Sequence, residues 1–391
     1  MNELAGNWNY PTHVRFGAGR IAELPAACKA MGMARPLLVT DPGLAALPMI
    51  SEALARNTEA GVPTALYSDV RPNPVAKNVE DGIAAYRQGQ HDGVIAWGGG
   101  SAMDTGKAIA LMVGQSRSIW DFEDIGDNWT RADPDGIAPI IAVPTTSGTG
   151  SEVGRAGVVA KEGAEGEPHS KKIIFHPKMM PAAVICDPVL VTGLPANITA
   201  WTGMDALVHC LEAYVAPGYH PMADGIALEG LRLIAEFLPR AYADGSDIEA
   251  RAHMMSAAAM GATAFQKGLG AIHSLSHPVG SVYDTHHGLT NAVFTPYVLI
   301  NNKKAIADKM THLARFMGLK RPGFKAVLDW TLDLRETFQI PHTPLELGVE
   351  EGRLKQLAQM AAEDPTAPTN PIPVDAKAML MMYKRAMAGK A

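Results

Sequence analysis

The chain has 391 residues, 47% of them hydrophobic, enough to bury at least one large core and more readily two. A net charge of −6 with no run of Lys or Arg leaves no electrostatic basis for a nucleic-acid partner. No stretch approaches the roughly 20 apolar residues of a membrane span, and the start lacks a basic segment followed by an apolar one.

The three cysteines, Cys28, Cys186 and Cys210, are odd in number and far apart, which argues against a disulfide framework. The expectation is therefore a cytoplasmic chain with no signal peptide and no membrane partner.

The first half alternates short apolar runs with amphipathic stretches. Strands are expected at 36–40, 65–67, 93–97 and 140–143, with helices over 44–60, 75–88 and 102–112. This alternation implies a parallel sheet covered by helices. A β-hairpin is expected from 158–160 and 172–175 around the polar turn KEGAEGEPHS, and a last strand at 183–186. Beyond Leu194-Pro195 strand signals fade and Ala/Leu/Met periodicity takes over, so the boundary is placed there: an α/β domain over 1–194 and a helical domain over 195–391. The Pro-rich stretch 364–373 reads as a loop before a final helix.

Three places follow expected strand ends. GGGSAMDTGK, from Gly98, opens a helix, and its glycines let backbone N–H groups approach an anion such as a pyrophosphate. Its spacing is not G-x-G-x-x-G, and a tight strand-to-helix turn is the alternative. PTTSGTGSE, from Pro144, sets four hydroxyls and two glycines where a doubly wound sheet opens its crevice, although such loops are often plain surface turns. Asp41 can accept from an adenosine ribose and would repel a 2′-phosphate, favouring NAD over NADP; serving as a helix N-cap is an equal alternative.

Four of the thirteen histidines crowd into positions 273–287. His273 and His277 are four apart, as are Asp205 and His209 in TGMDALVHCLE, so each pair shares a face if helical. Two such pairs plus a further imidazole can converge on a cation, and a set of imidazoles with one carboxylate suits iron or zinc. Singly, each histidine is more often a satisfied structural residue; the crowding changes that. Cys210 faces away from the Asp205/His209 pair and reads as a small core residue. Of His286 and His287, only one can point inward.

These motifs, GGGSAMD, PTTSGTGSE, the Asp187-Pro188 pair, GMDALVH, the H-x-x-x-H-P of His273–Pro278 and HHGLTNA, occur in the order and spacing of one family. The chain resembles the iron-containing (group III) alcohol dehydrogenases over essentially its whole length. The resemblance implies an N-terminal Rossmann-like dinucleotide-binding domain with a parallel sheet, plus an all-helical C-terminal domain, the dehydroquinate-synthase-like architecture. It makes Asp205, His209, His273 and His287 the ligands of Fe2+, with Zn2+ as the other acceptable ion. His277 becomes a non-ligating residue beside the nicotinamide and substrate. Asp41, Asn73, Gly99, Gly100, Ser101, Thr145, Thr146, Thr149 and Lys172 match NAD-contacting positions. The implied activity is reversible NAD-linked oxidation of a small alcohol to an aldehyde or ketone, His277 relaying the proton, by a homodimer.

Glu212, one turn beyond His209, is a candidate neighbour of the ligands or half of a buried salt bridge. The segment from Phe265 to Gly270 departs from the family by one residue and brings Lys267 toward His273. Phe265 and Lys267 are candidate substrate contacts, and the lysine would favour a substrate with an anionic end, unless it is a solvated helix-end residue. Rival readings are a zinc enzyme of the same architecture, resembling glycerol dehydrogenase or dehydroquinate synthase, and a non-catalytic nucleotide- and metal-binding protein.

Overall fold

The computed structural model describes residues 6–8, 10–163 and 170–390. They form two compact units. One comprises the chain up to Thr146 together with Gly150–Gly193; the other comprises Ser147–Thr149 and the chain from Leu194 onward.

The first unit is built from β1 (Gly6–Trp8), β2 (His13–Phe16), α1 (Leu24–Ala30), β3 (Leu37–Val39), α2 (Pro42–Ala45), α3 (Pro48–Glu59), β4 (Ala65–Tyr67), α4 (Ala76–Gln88), β5 (Val94–Gly98), α5 (Gly100–Met112), β6 (Ile140–Pro144), β7 (Ala156–Lys161), β8 (Ser170–Phe175) and β9 (Ala183–Cys186). Seven strands make one sheet in the order β1-β2-β9-β6-β5-β3-β4, all parallel except the β1–β2 edge. β3, β5, β6 and β9 are buried along their whole length, which is why they read as continuous apolar runs and not as alternation. β7 and β8 pair antiparallel in a separate ribbon that takes in both ends, Lys161 and Ser170, of the turn expected over 161–170; positions 164–169 of that turn lie outside the described residues.

The expected parallel α/β half is present, with two local differences. The helix expected over 44–60 is broken at Leu47, because Pro48 cannot continue α2 and instead opens α3. The β1–β2 edge was not expected, since three- and four-residue strands flanked by Pro11 carry little periodic signal.

The second unit contains α6 (Ala196–Val215), α7 (Pro221–Ala243), α8 (Ile248–Ala264), α9 (Ala271–Tyr283), α10 (His287–Phe316), α11 (Phe324–Thr337), α12 (Leu354–Ala362) and α13 (Ala376–Met387). From Thr199 to Val215 every residue of α6 but Trp201 is buried, so this helix is enclosed on all sides and serves as the axis of the unit. α10 packs across it. A side chain at Gly288 would strike the Trp201 carbonyl at 2.2 Å and the Asp205 Cβ at 3.0 Å, so glycine at that position sets how closely the two helices meet.

Candidate metal centre and cofactor loops

In the first unit, chain order reverses direction in the sheet between β3 and β5, and the loops beyond their carboxyl ends lie together. Gly98 has φ of +148°, and a Cβ there would stand 2.7 Å from that of Ala102, so only glycine makes this turn into α5. Gly99 caps α5 with extended backbone, leaving the first N–H groups of a 13-residue helix directed out of its end. β6 runs beside β5 with Gly98 opposite Pro144, and Thr145 N donates to Gly98 O at 3.0 Å. Thr145 is buried, while Thr146 lies against Gly99. Asp41 is a helix N-cap: its Oδ1 accepts from Leu44 N at 3.0 Å, with Oδ2 toward Gly98. Ser101 Oγ donates to the Pro72 carbonyl, next to the half-buried Asn73. Lys172 Nζ is 2.8 Å from Glu123 Oε1, so its charge already has a partner. Thr149 belongs to the other unit.

In the second unit, α6 presents Asp205, His209 and Glu212 on one face, α9 presents His273 and His277, and α10 begins at His287. One ligand atom from each of Asp205, His209, His273 and His287 falls within a 4.8 Å set. His287 Nε2 is 3.5 Å and His209 Nε2 3.9 Å from Asp205 Oδ1. Bonds of about 2.1 Å to a tetrahedral ion require ligand atoms about 3.4 Å apart, so the spacing fits a small divalent cation.

The outer nitrogens are occupied in a way that leaves Nε2 facing inward. His209 Nδ1 donates to the Gly148 carbonyl at 3.3 Å, and His273 Nδ1 donates to Glu212 Oε2 at 2.6 Å. Burial holds the His209 imidazole below its ordinary range, Asp205 only partly opposing it. Burial also lowers His273, but the Glu212 hydrogen bond and charge more than offset it, and the net shift is upward. Glu212 is thus a buried hydrogen-bond acceptor that orients a candidate ligand.

His277 lies beside the four and outside the set. Its ring stacks on that of His287 at 5.3 Å, and its Nδ1 donates to Asp364 Oδ2 at 2.8 Å. Burial pushes the Asp364 carboxyl up, but the His277 interaction and two hydrogen bonds from Thr366 outweigh it and hold it below the usual range. Phe265 packs its ring 5.1 Å from His209, an apolar wall beside the cluster. His286 caps α10 and packs on Trp201, so of the two adjacent histidines His287 is the inward one. Cys210 is buried, its thiol pushed up to about 12 by burial, and is no ligand.

Lys267 is paired within its own unit. Its side chain is 2% exposed, and its Nζ lies 2.5 Å from Asp224 Oδ1 and 3.3 Å from the Tyr214 carbonyl. The ammonium ties α7 to the end of α6, and Asp224 also faces Lys309 Nζ at 3.7 Å, so two ammonium groups share one carboxylate.

The model for iron-containing alcohol dehydrogenase matches residues 11–188, and that for the C-terminal part of the family matches residues 199–387. The chain belongs to the iron-containing alcohol dehydrogenase family. Among its relatives, 4-hydroxybutyrate dehydrogenase of Cupriavidus necator is 37% identical over 97% of this chain and 99% of that protein. NAD-dependent methanol dehydrogenase of Bacillus methanolicus is 34% identical over 97% and 100%. The crystal structure of a 1,3-propanediol oxidoreductase superposes with a TM-score of 0.90 at 33% identity, covering 98% of this chain and 99% of that one. That of sulfoacetaldehyde reductase from Bifidobacterium kashiwanohense in complex with NAD+ gives 0.87 at 29%, covering 97% and 99%. Like the family, this chain is an oxidoreductase acting on CH–OH groups, with a parallel α/β unit followed by a helical one. No helix among the described residues is long and apolar enough to cross a membrane.

Sequence reasoning missed Asp364, Ser276 and Asn291. Asp364 sits in the Pro-rich stretch read only as a loop, 87 positions from its partner His277. Asn291 stood inside the motif HHGLTNA, but nothing in a motif tells which way an amide points.

Proposed function

We propose that this protein catalyses reversible hydride transfer between NAD and a small primary or secondary alcohol, with residues 1–194 binding the dinucleotide and 195–391 holding the metal. One observation carries the reading: three imidazole nitrogens and one carboxylate oxygen, brought from three helices, share a space of ion size. When bound, Fe2+, or Zn2+ in its place, supplies Lewis acidity toward the substrate oxygen, and NAD supplies the hydride acceptor.

The chain's own residues do the rest. Asp205, His209, His273 and His287 hold the ion, with Glu212 and the Gly148 carbonyl fixing two imidazoles in the tautomer that leaves Nε2 free to ligate. Phe265 excludes water from one side. His277, oriented by ionised Asp364, keeps its proton on Nδ1 and so offers Nε2 to take the hydroxyl proton; at 21% exposure it can pass that proton to solvent. The N-terminus of α5 with Gly99, Gly100 and Ser101 receives the pyrophosphate, Thr145, Thr146 and Thr149 the remaining polar contacts, and Asp41 the adenosine ribose, which favours NAD over NADP. Asn73 and Lys172 complete the set, the latter sharing its charge with Glu123.

For the substrate, the pairing of buried Lys267 with Asp224 weakens the case for an anionic end, and we take an uncharged small alcohol. The names of the relatives include both kinds, so they do not choose. A cytoplasmic homodimer completes the proposal. The test is NADH formation over a panel of alcohols, paired with metal analysis of anaerobically prepared wild type and His287→Ala. The variant should lose metal and turnover together while still binding NAD; full turnover in metal-free protein would refute the reading. Sedimentation velocity reports the dimer.

A further inference from the structure

A fifth side chain reaches the candidate ligands. Asn291, one turn beyond His287 on α10, is completely buried. Its Nδ2 lies 2.9 Å from Asp205 Oδ1, 3.1 Å from His287 Nε2 and 3.3 Å from His273 Nε2, so it touches donor atoms of three of the four. An amide can present either of two ends. Its nitrogen has no lone pair to give a cation; its oxygen is a hard donor that ferrous iron or zinc accepts.

Two contacts decide which end faces the ligands. A ligating carboxylate only accepts, so Asp205 requires the N–H end. On the opposite side, Ser276 Oγ from α9 donates to Asn291 Oδ1 and draws the carbonyl away. Ser276 is buried; its single O–H proton serves Asn291 Oδ1, the nearer acceptor, with the His273 carbonyl 3.1 Å away as the competing one. Thr295 Oγ1, in turn, donates to the Asn291 carbonyl of the main chain at 2.8 Å, holding this turn of α10 in place.

The geometry points to Asn291 as a positioning residue of the metal centre, locked by Ser276 so that it gives an N–H to Asp205 and withholds its own carbonyl oxygen from the ion. The inference rests on the ligand assignment proposed above. Its consequence concerns coordination number. With the amide locked, the protein supplies four donors and a position stays open for substrate, as a catalytic site needs. Turned over, the same amide becomes a fifth protein donor at that position.

Full-length protein stripped by chelator and titrated with Co2+ tests this, because cobalt absorbs strongly in four-coordinate sites and weakly in five- or six-coordinate ones. Asn291→Asp places a carboxylate oxygen where the amide nitrogen stands; it should tighten Co2+ binding by about 10-fold, the scale on which neighbours of ligands move metal affinity, and weaken the visible band. Ser276→Ala removes one oxygen atom and leaves Asp205 as the only contact setting the amide, so it should weaken the band in part, with little change in affinity. Far-UV circular dichroism checks folding, and Ser276→Ala alone decides if Asn291→Asp does not fold. Wild-type bands in the folded variants overturn the role of Asn291. A wild-type protein that takes up no Co2+, or a His287→Ala variant that takes it up unchanged, overturns the ligand assignment instead.

Discussion

Glu212→Gln is nearly isosteric, yet it should damage the centre, because both oxygens of Glu212 accept hydrogen bonds. Oε2 takes the proton of His273 Nδ1 at 2.6 Å and Oε1 takes Ile272 N–H at 2.7 Å. Glutamine has one oxygen for two donors. If that oxygen stays with Ile272, the amide NH2 faces His273 and drives its proton to Nε2, the atom needed for the ion. If it turns to His273, a buried Ile272 N–H faces an NH2. Each arrangement forfeits a buried hydrogen bond of about 1–3 kcal/mol. The first also displaces the tautomer, so metal affinity should fall about 10- to 100-fold. Competition against a chelator of known affinity, on protein loaded anaerobically with Fe2+, measures this directly. Turnover at saturating metal should recover more than turnover at limiting metal. Unchanged affinity in a folded variant would refute the claim that Glu212 sets the tautomer of His273.

Three further outcomes are expected. Glu152 is completely buried beside Lys107 in the first unit, and burial pushes its carboxyl from an ordinary 4.5 to about 7. The folded state then holds a proton that the unfolded chain releases, so stability is full below pH 4.5 and is lost as pH rises through 7, by about 3 kcal/mol in all. Glu152→Gln should flatten urea-unfolding midpoints between pH 5 and 8; an unaltered slope would rule this out. Asp364→Asn should lower kcat about 10-fold or more by releasing His277. Because the Asp364 carboxyl is held low, its stabilisation is present above the unfolded carboxyl pKa of about 3.9 and lost as pH falls through the folded value, and the variant should lack that acid-side loss. Lys267→Met should leave the ratio of KM for anionic and neutral aldehydes of equal length unchanged, while unfolding about 1–2 kcal/mol more easily because Asp224, partly exposed, loses its nearer partner. It should also let Lys309, lowered to about 8 by burial and then by Lys267, titrate closer to an ordinary lysine. A shift in the KM ratio would restore Lys267 to the substrate.

The parts that were legible in the sequence share one property: their signal is local or periodic. β3, β5, β6 and β9 announced themselves as apolar runs, and Asp205/His209 and His273/His277 as four-residue spacings that a helix turns into one face. Asp41 shows the limit of that property. Its position after β3 fitted an N-cap and a ribose acceptor equally, and the structure gives it the first while leaving Oδ2 toward Gly98. Lys267 shows the same limit. Position brought the lysine toward His273, but what a charge does depends on its partner, and Asp224 lies 43 residues away on a different helix. Asp364, 87 residues from His277, was hidden for that reason too. Asn291 was hidden for another: its place on α10 follows from sequence, but its orientation is fixed by a carboxylate from α6 and a hydroxyl from α9. The candidate ligands can therefore be found by their chemistry and spacing. The side chains that orient them, Glu212 and Asn291, become visible only once three helices are packed together.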